Sequence, residues 1–165
     1  MEYLVSAIVG YIIGCFQTSY LLGKALKQTD IREHGTSNAG ASNAAIVFGW
    51  KYGFIIALVD IGKTILAVTI IGLVYPGDHI LKYIAGLSCI LGHIFPFYMQ
   101  FKGGKGFAPY AGLVMAINWR WGLAFIFICI IITVVTNYVS VAALVSTGFY
   151  PLYNIYIKEN PTIIL

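Results

Sequence analysis

The feature that most constrains this chain is a series of apolar runs long enough to cross a lipid bilayer, which takes about 20 mostly apolar residues. In lipid, backbone N–H and C=O groups must be paired within the segment, so such runs form helices. The sequence therefore predicts an all-α, polytopic membrane helix bundle of about six spans, with residues 1–165 forming a single domain. The runs are residues 3–26, 54–75, 80–99, the short run 107–118, 122–136 and 139–157.

Composition supports a membrane protein and argues against several other classes. The chain is 59% hydrophobic and only 10% charged, whereas soluble domains carry roughly 25% charged residues. Cys15, Cys89 and Cys129 lie inside apolar runs without disulfide or zinc spacing, which predicts small core residues. Basic residues form no stripe outside short loops, so nucleic acid is not an expected partner. The first run lacks a basic leader and a cleavage site, which predicts a retained span.

The distribution of basic residues predicts the orientation. With the N-terminus outside, the inner loops carry six basic residues and the outer ends carry three, in agreement with the positive-inside rule. The polar segments 27–53, 101–106 and 136–140 then share the cytoplasmic face. The inner residues are Lys24, Lys27, Arg32, Lys51, Lys102 and Lys105, and the outer ones are Lys82, Arg120 and Lys158.

The segment FKGGKG, residues 101–106, has the composition of an anion-binding loop. Glycines allow backbone N–H groups to approach a ligand and to form a nest, and a helix beginning near Phe107 would add partial positive charge. The two lysines add full charges. The spacing is not that of a Walker loop. A simple positively charged membrane anchor with flexible glycines is the alternative.

A second polar segment, DIREHGTSNAGASN at residues 30–43, offers complementary chemistry. Asp30 can orient Arg32, and the following small side chains can hydrogen-bond to phosphate and hydroxyl oxygens. An ordinary polar loop is the alternative. The small polar residues are Thr36, Ser37, Asn38, Ser42 and Asn43.

Three ionisable residues lie within or beside the spans. Asp60 and Lys63 are three residues apart and share one helix face, so a structural pair and a functional pair are both open. His93 could act as a base or could be a hydrogen-bonded residue that packs the following loop. A transporter is a further alternative for paired charges in a span, although no inverted repeat is visible.

Four segments together resemble a known family. GHIFPFYMQFKGGKGFAP (92–109) is similar to the signature G-H-x-F-P-x-[FY]-x-x-F-K-G-G-K-G-x-A of the bacterial acyl-phosphate-dependent glycerol-3-phosphate acyltransferases. DIREHGTSNAGASN resembles that family's D-I-R-x-x-G-S-G-N-x-G-A-T-N, DIGK (60–63) its D-x-x-K-G, and TNYVSVAAL (136–144) its T-R-Y-V-S-L-A-S. The matches are in order along almost the whole chain.

The resemblance implies a multi-pass enzyme of the bacterial plasma membrane. Such enzymes transfer an acyl group from acyl phosphate to the sn-1 hydroxyl of glycerol 3-phosphate in phospholipid synthesis, without cofactor or metal. The implied partners are these two substrates and the bilayer, with other lipid-synthesis enzymes as further candidates. The implied catalytic residues are Lys105, Thr36 and Ser140, and the implied substrate-binding residues are Arg32, Asn38, Asn43, Lys102, Gly103, Gly104 and Gly106.

The chain also departs from the family pattern. Ile46 replaces an arginine expected to bind substrate phosphate, Asn137 replaces the arginine of T-R-Y, and Gln17 replaces a proline. Family members usually continue into a further span and an R-H-x-x-N-like motif, whereas this sequence ends at Leu165. A non-catalytic paralogue is therefore the alternative function. It would bind acyl phosphate or a phosphorylated polyol and regulate or assist lipid synthesis.

Overall fold

The structure, a computed structural model, describes residues 1–148. All regular secondary structure in this range is helical, which confirms the predicted fold class. Short 3-10 turns at Ile31–Glu33 and Phe97–Met99 lie in the loops that follow α2 and α5. The helices are α1 (Glu2–Gly14), α2 (Thr18–Lys27), α3 (Ala41–Phe48), α4 (Trp50–Val74), α5 (His79–Ile94), α6 (Phe107–Ile117), α7 (Trp119–Thr136) and α8 (Val139–Gly148).

Within residues 1–148, four helical segments are long and apolar enough to cross a membrane: Glu2–Lys27, Trp50–Val74, His79–Met99 and Trp119–Thr136. The first is broken between α1 and α2 around Gln17. The apolar helices α6 and α8 are shorter, so the predicted count of about six spans is not confirmed. The predicted run 139–157 lies partly outside the described residues.

The chain divides into two compact units, Met1–Gly122 and the residues from Leu123 onward. In the first unit, α5 packs against α1 and α4, and α4 also packs against α6. Glycines allow these helices to approach closely. A side chain at Gly10 or Gly14 would overlap the backbone of α5, and one at Gly112 would overlap the backbone of α4. Such small residues are typical of helix contacts in membranes.

The second unit contains the α7 residues from Leu123 onward and α8, joined by a tight turn. Asn137 adopts a left-handed conformation with φ +59°, which asparagine tolerates better than most residues. Thr136 Oγ1 accepts a hydrogen bond from the backbone N–H of Tyr138, at 3.2 Å. Cys129 Sγ lies 3.0 Å from Ser146 Oγ and so links the two helices. The single domain over residues 1–165 stays a prediction.

The cysteines are core residues, as their apolar surroundings indicated. Cys15, Cys89 and Cys129 are all buried, and none forms a disulfide. Cys89 lies at the contact of α5 with α1, where its carbonyl oxygen occupies the space beside Gly14. The prediction that they are small buried residues is confirmed.

The contact between α1 and α5 predicts a specific effect of substitution. In Gly14→Ala the new methyl group would overlap the Cys89 carbonyl, so the helices must separate. We expect the free energy of unfolding to fall by about 1–3 kcal/mol, the usual effect of overpacking. Gly62→Ala on α4 is the matched control, because nothing lies within 4 Å of its added carbon. Denaturant unfolding in one detergent compares them, and equal stability of the two variants would contradict the account.

Candidate active site

Two loops lie against each other at one end of the first unit. The polar loop, residues 28–40, connects α2 to α3, and the glycine loop, residues 101–106, leads into α6. Ala39 N donates to Gly103 O at 3.1 Å. Arg32 Nη1 donates to the carbonyls of Met99 and Lys102, at 2.7 and 3.2 Å. These bonds join two of the three polar segments that were predicted to share one face, and the side of the membrane on which they lie stays a prediction.

The glycine loop folds back onto the C-terminal end of α5. Gly103 N donates to Ile94 O at 2.9 Å, and Gly104 N donates to His93 O at 3.1 Å. A side chain at Gly103 would overlap the His93 carbonyl, and one at Gly104 would overlap the His93 ring. Both positions therefore require glycine because of close approach.

The glycine loop presents positive charge and free backbone donors. Lys102 and Lys105 are exposed, and neither forms an ion pair within residues 1–148. In the same range, the backbone N–H groups of Lys105 and Gly106 donate to no backbone acceptor. Gly106, with φ +81°, caps the N-terminus of α6, where the first-turn N–H groups add partial positive charge. This arrangement is suited to bind an anion such as phosphate.

Asn43 organises the polar loop from inside. Its side chain is fully buried, and its Nδ2 donates to the carbonyls of Ile31, His34 and Asn38 at 3.0, 3.0 and 2.8 Å. Its Oδ1 accepts from the backbone N–H of Thr36 at 2.6 Å. Because both ends of the amide are engaged by backbone, the geometry favours a positioning role over direct contact with substrate.

Thr36 and Asn38 form the exposed edge of the polar loop. Asn38 Nδ2 donates to Thr36 Oγ1 at 2.8 Å, so the Thr36 hydroxyl keeps its own proton available for donation. Asn38 Oδ1 accepts from Gly40 N at 3.0 Å. The carbon of a side chain added at Gly40 would lie 4.0 Å from Lys105 N. This edge therefore lies beside the glycine loop.

Arg32 joins the two loops. Asp30 accepts from Arg32 Nη2 at 2.6 Å and from Arg32 Nε at 3.0 Å, as the sequence suggested. With the two bonds from Nη1 to carbonyls, four of the five guanidinium N–H donors are engaged. The hydrogen bond from Arg32 lowers the pKa of Asp30 below its ordinary value. A lowered pKa means that this pair stabilises the fold above the unfolded-state pKa and stops doing so as pH falls through the folded-state pKa.

Ser140 and Ile46 were also of interest in the sequence. Ser140 is exposed in the first turn of α8 and belongs to the second unit. Ile46 is 64% exposed on α3, so the departure from the expected arginine leaves an apolar surface side chain.

A buried polar network lies beneath the glycine loop. Lys63 Nζ lies 2.8 Å from Asp60 Oδ1, 2.9 Å from His93 Nδ1 and 2.7 Å from Phe16 O. Asp60, Lys63 and His93 are all buried. Of the two alternatives for His93, the hydrogen bonds and the contact with Gly104 favour the residue that packs the loop.

Comparison with known proteins identifies the family. The sequence profile described as "Glycerol-3-phosphate acyltransferase" matches residues 4–165. The chain belongs to this family. A relative from Oceanobacillus iheyensis, glycerol-3-phosphate acyltransferase 1, is 41% identical over 87% of this chain and 72% of its own length. A relative from Pelagibacter ubique, glycerol-3-phosphate acyltransferase, is 39% identical over 97% of this chain and 82% of its own length.

Solved structures agree with this assignment. The crystal structure of PlsY (YgiH), an integral membrane glycerol 3-phosphate acyltransferase, in its glycerol 3-phosphate form matches with a TM-score of 0.81. It is 31% identical and covers 89% of this chain and 73% of that one. The lysophosphatidic acid form matches with a TM-score of 0.83 at 27% identity, over 94% and 77% of the two chains. The predicted family, the membrane helical fold and the acyltransferase class are confirmed.

In this family member, the buried ion pair predicts a large effect of removing one partner. Lys63→Met leaves the Asp60 carboxylate buried without its counter-ion, so we expect the free energy of unfolding to fall by about 3–5 kcal/mol. The double variant Asp60→Leu with Lys63→Met leaves no unpaired charge and should recover part of this loss. Unfolding in detergent measures both. A double variant no more stable than Lys63→Met would contradict this account of the pair.

The Asn43 hydrogen bonds predict a second local effect. Asn43→Ala removes the hydrogen-bond partner of buried carbonyls and of the Thr36 N–H. Each buried polar group left unsatisfied lowers the free energy of unfolding by about 1–3 kcal/mol. We expect lower stability and faster trypsin cleavage at Arg32. Ser42→Ala, at the exposed neighbouring position, should change stability by less than about 0.5 kcal/mol. Equal cleavage rates in the two variants would show that Asn43 does not hold the loop.

Proposed function

We propose that the polar and glycine loops form the site at which this enzyme transfers an acyl group from acyl phosphate to the sn-1 hydroxyl of glycerol 3-phosphate. The observation that carries the proposal is the set of positive groups on the glycine loop that have no partner among residues 1–148. Lys102, Lys105 and the free N–H groups of Lys105 and Gly106 lie beside Thr36 and Asn38. Both substrates are phosphate esters or anhydrides, so a concentrated anion site is what the reaction needs.

The chemistry is acyl transfer from a mixed anhydride. The substrate hydroxyl oxygen attacks the acyl carbon, the bond from that carbon to the phosphate oxygen breaks, and the hydroxyl proton is released to the departing phosphate or to water. The products are lysophosphatidic acid and inorganic phosphate. Since the leaving group is good, the protein contributes mainly by holding two anions close and aligned.

Electrostatics explains the lysines in this proposal. Two unit charges of like sign 4 Å apart repel by about 4 kcal/mol at an effective dielectric constant of 20. Two ammonium groups and the N-terminal end of α6 offset this repulsion and stabilise negative charge developing on the acyl oxygen. Lys105 and Lys102 are proposed to contact the phosphate groups, and Gly103, Gly104 and Gly106 to shape the loop.

The polar residues have separate proposed roles. Thr36 donates its hydroxyl proton to a substrate oxygen, since its oxygen already accepts from Asn38. Arg32, Asn38 and Asn43 hold the polar loop through the hydrogen bonds described above. Ser140, from the second unit, is proposed as a further catalytic residue on the strength of the family motif TNYVS alone.

The phosphate-binding role of Lys105 predicts a kinetic effect. Lys105→Ala removes one partner of a close charge pair, typically about 2–5 kcal/mol, so the KM for glycerol 3-phosphate should rise about tenfold or more. Lys82→Ala is the matched control, because Lys82 lies near the start of α5, far along that helix from His93. Steady-state formation of lysophosphatidic acid provides the measurement. Equal KM values for the two variants would rule out this role.

The orientation proposed here places both loops in the cytoplasm and the N-terminus outside. It is supported by the excess of basic residues in the segments assigned to the inside. In intact cells, an impermeant maleimide should label His79→Cys, which is exposed at the first residue of α5, but should label Glu33→Cys only after lysis. The wild type is the control, since its cysteines at 15, 89 and 129 are buried. Reversed labelling would overturn the orientation.

A further inference from the structure

We propose that His93 is a positioning residue for the glycine loop, and that the buried pair Asp60–Lys63 holds its ring in place. The proposal rests on the proposed function, in which this loop binds substrate phosphate. It assigns to three buried residues a role in substrate binding, although none of them is exposed to a ligand.

The contacts of Lys63 fix the His93 ring. An ammonium group has three N–H donors and no acceptor. Lys63 Nζ lies at hydrogen-bond distance from Phe16 O and His93 Nδ1, and it forms an ion pair with Asp60 Oδ1 at 2.8 Å. His93 Nδ1 must therefore accept, which places the ring proton on Nε2. The direct distance from His93 Nδ1 to Asp60 Oδ1 is 3.6 Å, too long for a good hydrogen bond. Lys63 is thus the link between the carboxylate and the ring.

The opposite edge of the ring contacts the glycine loop. The three atoms nearest to the position of a Gly104 side chain are Nε2, Cε1 and Cδ2 of His93. The His93 carbonyl also accepts from Gly104 N, at 3.1 Å, and from Gln17 Nε2, at 2.7 Å. His93 therefore holds Gly104 through both its backbone and its ring.

This support matters because Lys105 directly follows Gly104. A shift of the backbone at Gly104 moves the Lys105 N–H and the start of α6, which form the proposed phosphate site. Displacements of about 1 Å in a positioning element can reduce activity on the order of a hundredfold. If His93 only packed the helices, its substitution would change the free energy of unfolding and leave the KM for glycerol 3-phosphate unchanged.

The two adjacent glycines provide a matched test. At Gly104 the nearest atoms to an added carbon all belong to the His93 side chain, whereas at Gly103 they are the His93 and Ile94 carbonyl oxygens and Pro96 Cδ. Neither glycine has a positive φ, so the cost of alanine at each position comes from the contacts of the added carbon and not from the φ of the residue itself. Shortening residue 93 should therefore relieve a clash at position 104 but not at position 103.

The experiment measures the KM for glycerol 3-phosphate in Gly104→Ala and Gly103→Ala, each in the wild type and in His93→Asn. Asparagine keeps a short acceptor for Lys63 and removes the ring edge that faces Gly104. We expect His93→Asn alone to raise KM. The KM increase caused by Gly104→Ala should be at least about threefold smaller in His93→Asn, while that caused by Gly103→Ala stays the same. Equal effects of Gly104→Ala in both backgrounds would overturn the proposal.

A second variant keeps the test decisive if His93→Asn does not fold. Asp60→Asn with Lys63→Met removes the ion pair without leaving an unpaired charge, and we expect it to raise the KM for glycerol 3-phosphate. An unchanged KM in the folded protein would overturn the proposal.

Lys105→Ala separates this proposal from the proposed function. If Lys105→Ala leaves KM unchanged, the phosphate site itself is wrong. If it raises KM but neither the glycine variants nor the ion-pair variant behave as expected, only the role of His93 is wrong.

Discussion

The rest of the site depends on the contacts of the buried Lys63 ammonium group with Asp60, His93 and Phe16. Inside a helix bundle an isolated charge costs several kcal/mol, so it must be paired and hydrogen-bonded. The three groups that Lys63 Nζ contacts belong to three parts of the fold. Phe16 lies at the break in the first span, Asp60 lies on α4, and His93 lies near the end of α5. This one group therefore fixes the point from which the glycine loop leaves α5.

Above that point, the two loops are held by backbone contacts rather than by apolar packing alone. Arg32 and Ala39 bind the carbonyls of the glycine loop, and Asn43 binds the interior of the polar loop. These hydrogen bonds satisfy polar groups in the interior of the two loops. The side chains of Lys102 and Lys105 are exposed, which is why the surface carries positive charge without an ion-pair partner within residues 1–148.

Much of this could be predicted from local sequence. Apolar run length predicted membrane helices, and Asp30 predicted the orientation of Arg32. The anion site predicted from the glycines and lysines of residues 101–106 stays a prediction. The sequence did not predict that Asn43 is buried and holds the polar loop through its side-chain hydrogen bonds. Nothing in the local sequence distinguishes this asparagine from the other small polar residues of the same segment. The bond from Gln17 to His93 joins residues 76 positions apart, and no local pattern reports such a contact. The predicted number of spans is not confirmed, because α6 has only 11 residues and the predicted run 139–157 lies partly outside the described residues.

The central claim is that the paired loops perform acyl transfer in this chain, despite Ile46 in place of the expected arginine. The most direct measurement is turnover by the protein purified into lipid, supplied with palmitoyl phosphate and labelled glycerol 3-phosphate. The account predicts lysophosphatidic acid and inorganic phosphate in equal amounts. Binding of glycerol 3-phosphate without either product would contradict it and would favour the non-catalytic paralogue.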